Sequence, residues 1–164
     1  MTKMYDAPIH TPLKTVQQDW IDYNGHMNMA YYVLLFDQSL DYVYDLLEIG
    51  ESYVREQNGS CFTREIQVNY LRELSLGDRV VVEFQLLDWD AKRLHFFQTM
   101  RHGDEGYVAA TSEQLALHVD MTSRRTAPFP NAVQQRLTTL MHTHGELAKP
   151  AQAGHEIGIP KTLA

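Results

Sequence analysis

The longest apolar segment of the chain covers residues 29–50 and has the periodicity of a helix. Its polar side chains recur at steps of three and four residues, which places them on one narrow stripe. They are Asp37, Gln38, Asp41, Asp45 and Glu48. Almost every other position is apolar, so the pattern predicts a helix that ends at Gly50 and is enclosed on several sides. The rest of the chain must supply the enclosing surface.

Residues 61–120 alternate between apolar and polar positions in the manner of β-strands. Turn sequences at 76–78, 88–92 and 102–106 divide this region into four strands. The short spacers indicate successive antiparallel hairpins. Residues 9–18 offer a further strand, weakened by Pro12, and a polar helix is predicted near residues 131–144.

These elements predict an α+β fold in which an antiparallel sheet of about five strands wraps around one long helix. We expect one domain over residues 1–130, with the C-terminal helix and tail of residues 131–164 packed on it or trailing it. A sheet of this kind leaves an edge or a face that pairs with a second copy. A homodimer or a homotetramer is therefore predicted.

The composition excludes several functional classes. A formal charge of −7 over 164 residues, with no basic cluster longer than Arg124 and Arg125, argues against nucleic-acid binding. A single cysteine, Cys61, excludes an internal disulfide and a cysteine-rich metal site. The sequence has neither a long unbroken apolar run nor an apolar N-terminal stretch. We therefore expect a cytoplasmic protein without a membrane span.

Short motifs for cofactors are also missing from the sequence. Neither G-x-x-x-x-G-K-[ST] nor G-x-G-x-x-G occurs, so nucleotide and dinucleotide cofactors are not expected. No G-x-S-x-G elbow indicates a serine hydrolase. His142 and His144 are two residues apart on a predicted helix and point in different directions, so no metal site is predicted.

The segment just before the apolar helix concentrates polar chemistry. Residues 22–28 read D-x-N-G-H-x-N. A helix N-terminus presents unpaired N–H groups and the positive end of a dipole. Asn28 is a suitable N-cap, so the amides around Asn28, Met29 and Ala30 are candidate donors to an oxyanion.

In this position the motif resembles the signature of hotdog-fold acyl-CoA thioesterases of the 4-hydroxybenzoyl-CoA thioesterase type. Residues 68–86 resemble the strand–turn–strand of that family, and residues 106–120 resemble its last long strand. The similarity covers roughly residues 10–130. The stretches "WIDYNGHMN", "ATSEQLALHVD" and "AGHEIGIP" resemble the branch associated with carnitine breakdown, which hydrolyses betainyl-CoA.

The resemblance implies that Asp22 is the catalytic carboxylate, acting either as a nucleophile or as a base on water. His26 and Asn24 are expected to position water, to donate to the carbonyl or to hold Asp22. Taken singly, these residues also suit an Asx-turn, a tight turn and a helix cap. The resemblance implies an acyl-CoA substrate and no metal or redox cofactor.

Alternation along residues 107–119 directs Glu113 towards the more apolar face, where a carboxylate needs a partner or a cavity. A β-bulge would instead turn it outward. For a trimethylammonium acyl group, Glu113 with Tyr31, Tyr32 and Tyr70 is a candidate cation pocket, and Phe36 is a further aromatic candidate. Core packing is the alternative for these rings.

Arg124 and Arg125 are candidate ligands for the phosphates of CoA, with solvated surface charge as the alternative.

Two other functions remain open from the sequence. A hotdog hydratase adds water to an enoyl-CoA, but that class resembles D-x-x-x-x-H, whereas the spacing here is D-x-x-x-H. A non-catalytic hotdog subunit that binds CoA or an acyl group would keep the pocket and would not need Asp22.

Overall fold

A computed structural model describes residues 4–160 and shows an antiparallel sheet packed around a long helix. The strands are β1 (Ile9–His10), β2 (Lys14–Thr15), β3 (Gly59–Tyr70), β4 (Arg79–Trp89), β5 (Arg93–His102), β6 (Val108–Asp120) and β7 (Arg125–Thr126). The α-helices are α1 (Met29–Leu46), α2 (Glu51–Gln57) and α3 (Asn131–His144), and a 3₁₀ turn covers Gln18–Trp20.

The sheet has the order β1-β4-β5-β6-β3, with β2 added to β4 and β7 added to β6. The prediction of an antiparallel sheet around one helix is confirmed. The predicted first strand is interrupted, because β1 and β2 pair with β4 on either side of Pro12. The predicted domain division at residue 130 stays a prediction. Its outermost residues, 1–3 and 161–164, lie outside the described residues.

The prediction of a hairpin between the first two long strands is wrong. β3 pairs with β6 over its whole length, and β4 lies on the other side of β5. Residues 71–78 are a longer connection than the roughly two to five residues of a hairpin loop. They carry the chain across the sheet, and the N–H groups of Leu71 and Arg72 both donate to the Ala109 carbonyl. This crossing brings residues 71–73 close to the start of α1.

α1 supplies the centre of the core, as its pattern predicts. Leu40 and Val43 are buried in one cluster with sheet residues such as Phe84 and Phe96. Leu35 and Phe36 are buried in a second cluster, which includes Val82 of β4. The helix ends earlier than predicted, at Leu46, and Gly50 instead begins the short helix α2. A Cβ atom at position 50 would collide with the Asp45 carboxylate. The glycine therefore permits a close approach and does not itself end α1.

The face of β6 that packs on α1 is the more polar one. Ser112, Gln114 and His118 are buried together with Ala110 and Ala116. Gln114 donates to Gln98, which donates to the Phe36 carbonyl, so the buried amides are paired. Glu113 consequently lies on the outer face of the sheet, away from the helix. The expectation that its more apolar face meets the core is wrong.

α3 packs against β4, over the range that its sequence predicts. Val133, Leu137 and Leu140 belong to the same buried cluster as residues of α1. His144 is buried at the end of the helix, where its Nδ1 accepts from the Leu86 N–H at 2.9 Å and its Nε2 lies 2.8 Å from the Asp6 carbonyl oxygen. The histidine therefore connects α3, β4 and the N-terminal segment.

Candidate active site

The loop of residues 22–28 is closed by its own main chain. Asp22 N–H donates to the His26 carbonyl at 3.2 Å, and Asn28 N–H donates to the Trp20 carbonyl at 2.9 Å. Gly25 has a φ of 80°, in the left-handed region that favours glycine. This tight turn places Asp22, His26 and Asn28 next to one another at the start of α1.

The Asp22 carboxylate is held on both oxygens. Oδ1 accepts from the Asn24 N–H at 2.8 Å, and Oδ2 accepts from Asn28 Nδ2 at 2.9 Å. The hydrogen bond from the Asn24 backbone, followed by that from Asn28, lowers the pKa of Asp22 below its ordinary 3.8. The side chain is therefore an ionised carboxylate at neutral pH, as a nucleophile or a general base requires.

Asn28 also caps the helix. Its Oδ1 accepts from the Ala30 N–H at 3.0 Å, while its Nδ2 donates to Asp22. Ala30 N–H is thus engaged, which differs from the expectation that both predicted amides are available. Within residues 4–160, the Met29 N–H has no hydrogen-bond acceptor. It is the backbone donor at the positive end of α1 that a ligand would meet.

A cavity of about 270 Å³ opens beside this helix start. It is lined by residues 26, 27, 29 and 32 and by the run 70–73. The Tyr70 hydroxyl donates to the Met29 carbonyl at 3.2 Å, and the Tyr32 hydroxyl accepts from the Leu74 N–H at 3.0 Å. Asp22 does not line the cavity itself. Asn28 connects its carboxylate to the helix turn that carries Met29.

The predicted aromatic residues divide between the cavity and other positions. Tyr32 and Tyr70 line the cavity, with their rings perpendicular and 5.2 Å apart between centroids. Burial raises the pKa of Tyr32 to about 12, so its phenol stays neutral. Tyr31 stacks on Trp20 outside the cavity, and Phe36 is fully buried in the core.

Glu113 lies in a different place from the loop. His95 Nε2 is 2.7 Å from Glu113 Oε1, and the Gly154 N–H donates to Glu113 Oε2 at 2.6 Å. These groups line a cavity on the outer face of the sheet that shares no lining residue with the one beside Met29. Within one copy of the chain, the structure does not bring Glu113 together with Asp22.

Arg124 and Arg125 are also remote from the loop. Tyr70, at the loop end of β3, pairs with Ala110, whereas Arg125 pairs with Asp120 at the opposite end of β6. Ten residues of strand correspond to about 33 Å. Both arginines are exposed, and the Arg124 guanidinium carbon lies 5.9 Å from the centroid of the Phe62 ring.

Sequence reasoning missed Arg72 and Glu73, which line the cavity beside Met29. Glu73 Oε2 lies 3.9 Å from His26 Nε2. No spacing in the sequence connects position 26 with position 73, because only the crossing of residues 71–78 brings them together.

The described residues contain no group of three or more side chains placed to hold a metal ion. Across residues 4–160, every helix is too short or too polar to cross a membrane.

Comparison with known proteins identifies the family. Residues 16–137 match the family model of the Thioesterase-like superfamily. A betainyl-CoA thioesterase from Pseudomonas aeruginosa is 40% identical over 147 residues, covering 88% of this chain and 91% of that protein. An L-carnitine dehydrogenase/betainyl-CoA thioesterase from Rhizobium meliloti is 35% identical over 96% of this chain, which spans only 32% of that longer protein.

Two solved structures are similar over almost the whole chain. A hypothetical protein from Staphylococcus aureus in complex with CoA has a TM-score of 0.87 at 29% identity, covering 98% of this chain and 100% of that one. A putative thioesterase from Pseudomonas putida has a TM-score of 0.82 at 34% identity, covering 95% and 99%. The chain therefore belongs to the Thioesterase-like superfamily and is a hotdog-fold thioester hydrolase.

Proposed function

We propose that this chain hydrolyses betainyl-CoA to betaine and CoA. The observation that carries the proposal is the Asp22 carboxylate, held by two hydrogen bonds at the start of a helix whose first N–H is free. The acyl group is supported by the Pseudomonas aeruginosa relative, a betainyl-CoA thioesterase at 40% identity. The CoA portion is supported by the Staphylococcus aureus structure, solved in complex with CoA.

Hydrolysis replaces the carbon–sulfur bond of the thioester with a carbon–oxygen bond, and the thiolate leaves and takes a proton. Asp22 either attacks the carbonyl carbon, giving a mixed anhydride that water cleaves, or removes a proton from the attacking water. Both routes need an ionised carboxylate. The hydrogen bonds from Asn24 and Asn28 favour that form because they stabilise the negative charge.

The Met29 N–H is the donor that we assign to the developing oxyanion. It lies at the positive end of the α1 dipole, and its residue lines the cavity together with His26. His26 either positions water or donates to the carbonyl. Asn24 acts through its backbone, which holds Asp22.

We propose a homodimer formed through the free edge of β3. This strand pairs only with β6 among the described residues, and it exposes Ile66 at 44% and Tyr70 at 43%. An unpaired edge of this length readily pairs with another strand. Antiparallel pairing of two β3 strands would place the Arg124–Arg125 end of one copy beside the helix start of the other. In that assembly the two arginines become available to the phosphates of CoA.

We place the protein in the cytoplasm because CoA thioesters are intracellular metabolites. The single cysteine, Cys61, fits a reducing compartment.

A thiol-release assay with betainyl-CoA, acetyl-CoA and benzoyl-CoA tests the function. We expect betainyl-CoA to give the highest kcat/KM. The D22N variant should lower kcat by at least about a hundredfold while CoA binding, followed by calorimetry, persists. The matched control is D19N, because Asp19 is an exposed acid just before the loop.

Equal turnover of the three thioesters would contradict the betainyl assignment. Full activity of D22N would contradict the role of the carboxylate.

A further inference from the structure

The covalent structure of the proposed substrate restricts where its cation can bind. In a betainyl thioester a single methylene joins the carbonyl carbon to the quaternary nitrogen, so these two atoms lie about 2.5 Å apart. A group that recognises the cation must therefore line the same cavity as Met29 and His26, the lining residues that we assign to the carbonyl. Glu113, which lines a cavity on the outer face of the sheet, does not meet this condition within one copy of the chain.

Glu73 meets the condition. Among the described residues that line the cavity beside Met29, it is the one that carries a carboxylate. Its Oε2 lies 3.9 Å from Nε2 of His26, so the charge faces the catalytic loop. The side chain is 72% exposed, so water screens this charge while the cavity is empty. A bound acyl group that displaces this water strengthens the attraction.

Two aromatic rings form the neighbouring walls. The rings of Tyr32 and Tyr70 are perpendicular, and Tyr70 is held over the helix start by its hydroxyl, which donates to the Met29 carbonyl. Aromatic faces attract quaternary ammonium groups, which carry no N–H and are recognised by charge and by ring quadrupoles. A carboxylate with two rings at right angles suits such a group.

Arg72 also lines the cavity, and its positive charge would repel a quaternary ammonium group if it pointed into the subsite. The Arg72 guanidinium carbon lies 3.7 Å from the centroid of the Tyr107 ring, so its charge is stacked on that ring. The Tyr107 hydroxyl in turn donates to the Glu73 carbonyl at 3.1 Å. This stacking holds Arg72 in place beside residue 73 and leaves the Glu73 carboxylate directed at His26.

We propose that Glu73, together with the rings of Tyr70 and Tyr32, forms the subsite for a quaternary ammonium group and sets the preference for a cationic acyl chain. The inference rests on the proposed function, because it names the residue that recognises the betainyl group. Glu73 is a specificity residue here, and the bond-breaking chemistry remains with Asp22.

The test compares betainyl-CoA with 3,3-dimethylbutyryl-CoA, whose tert-butyl group has the same shape and no charge. For E73Q we expect the ratio of the two kcat/KM values to fall by about tenfold, because the loss of the charge weakens binding of the cationic acyl group more than binding of the neutral one. E73K should lower the ratio further, because it places a like charge in the subsite. The control is E56Q, which removes an exposed charge from α2.

The outcomes separate this inference from the function on which it rests. If the wild-type chain does not prefer betainyl-CoA over its neutral analogue, the proposed function fails. If the wild type shows the preference and E73Q keeps it, only the subsite assignment is overturned. If E73Q lowers both rates equally and shifts the pH profile, Glu73 acts on His26, and the subsite assignment is again overturned.

Discussion

Asp22 and Glu113 are both hydrogen-bonded carboxylates, but they belong to different faces of the molecule. Asp22 is held by a backbone N–H and by the side chain that caps α1. Glu113 is held by His95 from the neighbouring strand and by the backbone of Gly154 in the tail. The first arrangement fixes a charge beside a free helix amide. The second attaches the tail to the outer face of the sheet.

Because both carboxylates are hydrogen-bonded, hydrogen bonding alone does not select Asp22 as the proposed catalytic acid. What distinguishes Asp22 is its partner Asn28, which also begins the helix and so connects the carboxylate with the Met29 N–H. The hydrogen bonds of Glu113 are equally short, but its partners are His95 in a strand and Gly154 in the tail, and neither connects it with the start of a helix.

The largest effect is expected for substitutions of Asn28. In N28A the cap and the bond to Asp22 are both lost, so stability should fall by about 1 kcal/mol. Misplacement of the carboxylate should lower kcat by about tenfold to a hundredfold. Chemical denaturation and the thiol-release assay measure the two quantities.

N28D is the matched variant. It keeps an acceptor for the Ala30 N–H and places a second negative charge beside Asp22. We expect near-normal stability, a raised Asp22 pKa and an acid limb of the pH–rate profile that moves to higher pH. Equal loss of stability in N28A and N28D, with unchanged acid limbs, would show that Asn28 does not link the cap to the carboxylate.

An intermediate effect is expected for His144, whose ring bonds to the backbone of Leu86 and Asp6 and to neither carboxylate. Burial lowers the pKa of His144 below its usual 6.5, so the imidazole stays neutral in the folded chain. The unfolded chain binds a proton below pH 6.5, and the folded chain binds it only at lower pH. This contribution to stability is therefore complete above pH 6.5 and decreases as the pH falls towards the folded-state pKa.

H144Q should reduce that pH dependence and lower stability at pH 7.5 by about 1–3 kcal/mol, because a buried hydrogen bond is lost. H142Q is the control, since His142 is exposed on the same helix. Denaturant midpoints measured between pH 5 and 7.5 check the prediction. An H144Q variant with the wild-type pH dependence would contradict it.

The smallest effect is expected for E113Q. Loss of the charge weakens the bond to the Gly154 N–H, so the tail should open about tenfold more often. Hydrogen exchange at the Gly154 N–H measures this opening, and E65Q removes another carboxylate of the same cavity as a control. If E113Q instead lowers kcat/KM as much as D22N does, Glu113 contributes to the acyl-binding site.

Local patterns in the sequence predicted much of the helix start and little of the sheet order. The N-cap at Asn28 follows from residues within one helical turn, and so does the loop that holds Asp22. Alternation along β6 correctly shows which residues share a face. It does not show which face meets α1, because Gln98 pairs with the buried Gln114 from another strand.

Long-range placement explains the remaining differences. β3 pairs with β6 and not with β4, and this depends on a crossing that no turn motif records. Glu73 reaches the cavity by the same crossing. Gly50 suggests a helix end in the sequence, whereas in the structure it caps α2 and lets the Asp45 side chain approach closely.

The double role of Asn28 has a consequence for how this enzyme can be altered. One carboxamide both starts the central helix and orients the acid. A conformation in which the first turn of α1 unwinds would lose the proposed catalytic geometry at the same time. We therefore expect partly opened molecules to be inactive, and not to hydrolyse a wider range of thioesters. Redesign for other acyl groups is therefore better directed at residues 70–73 than at the loop itself.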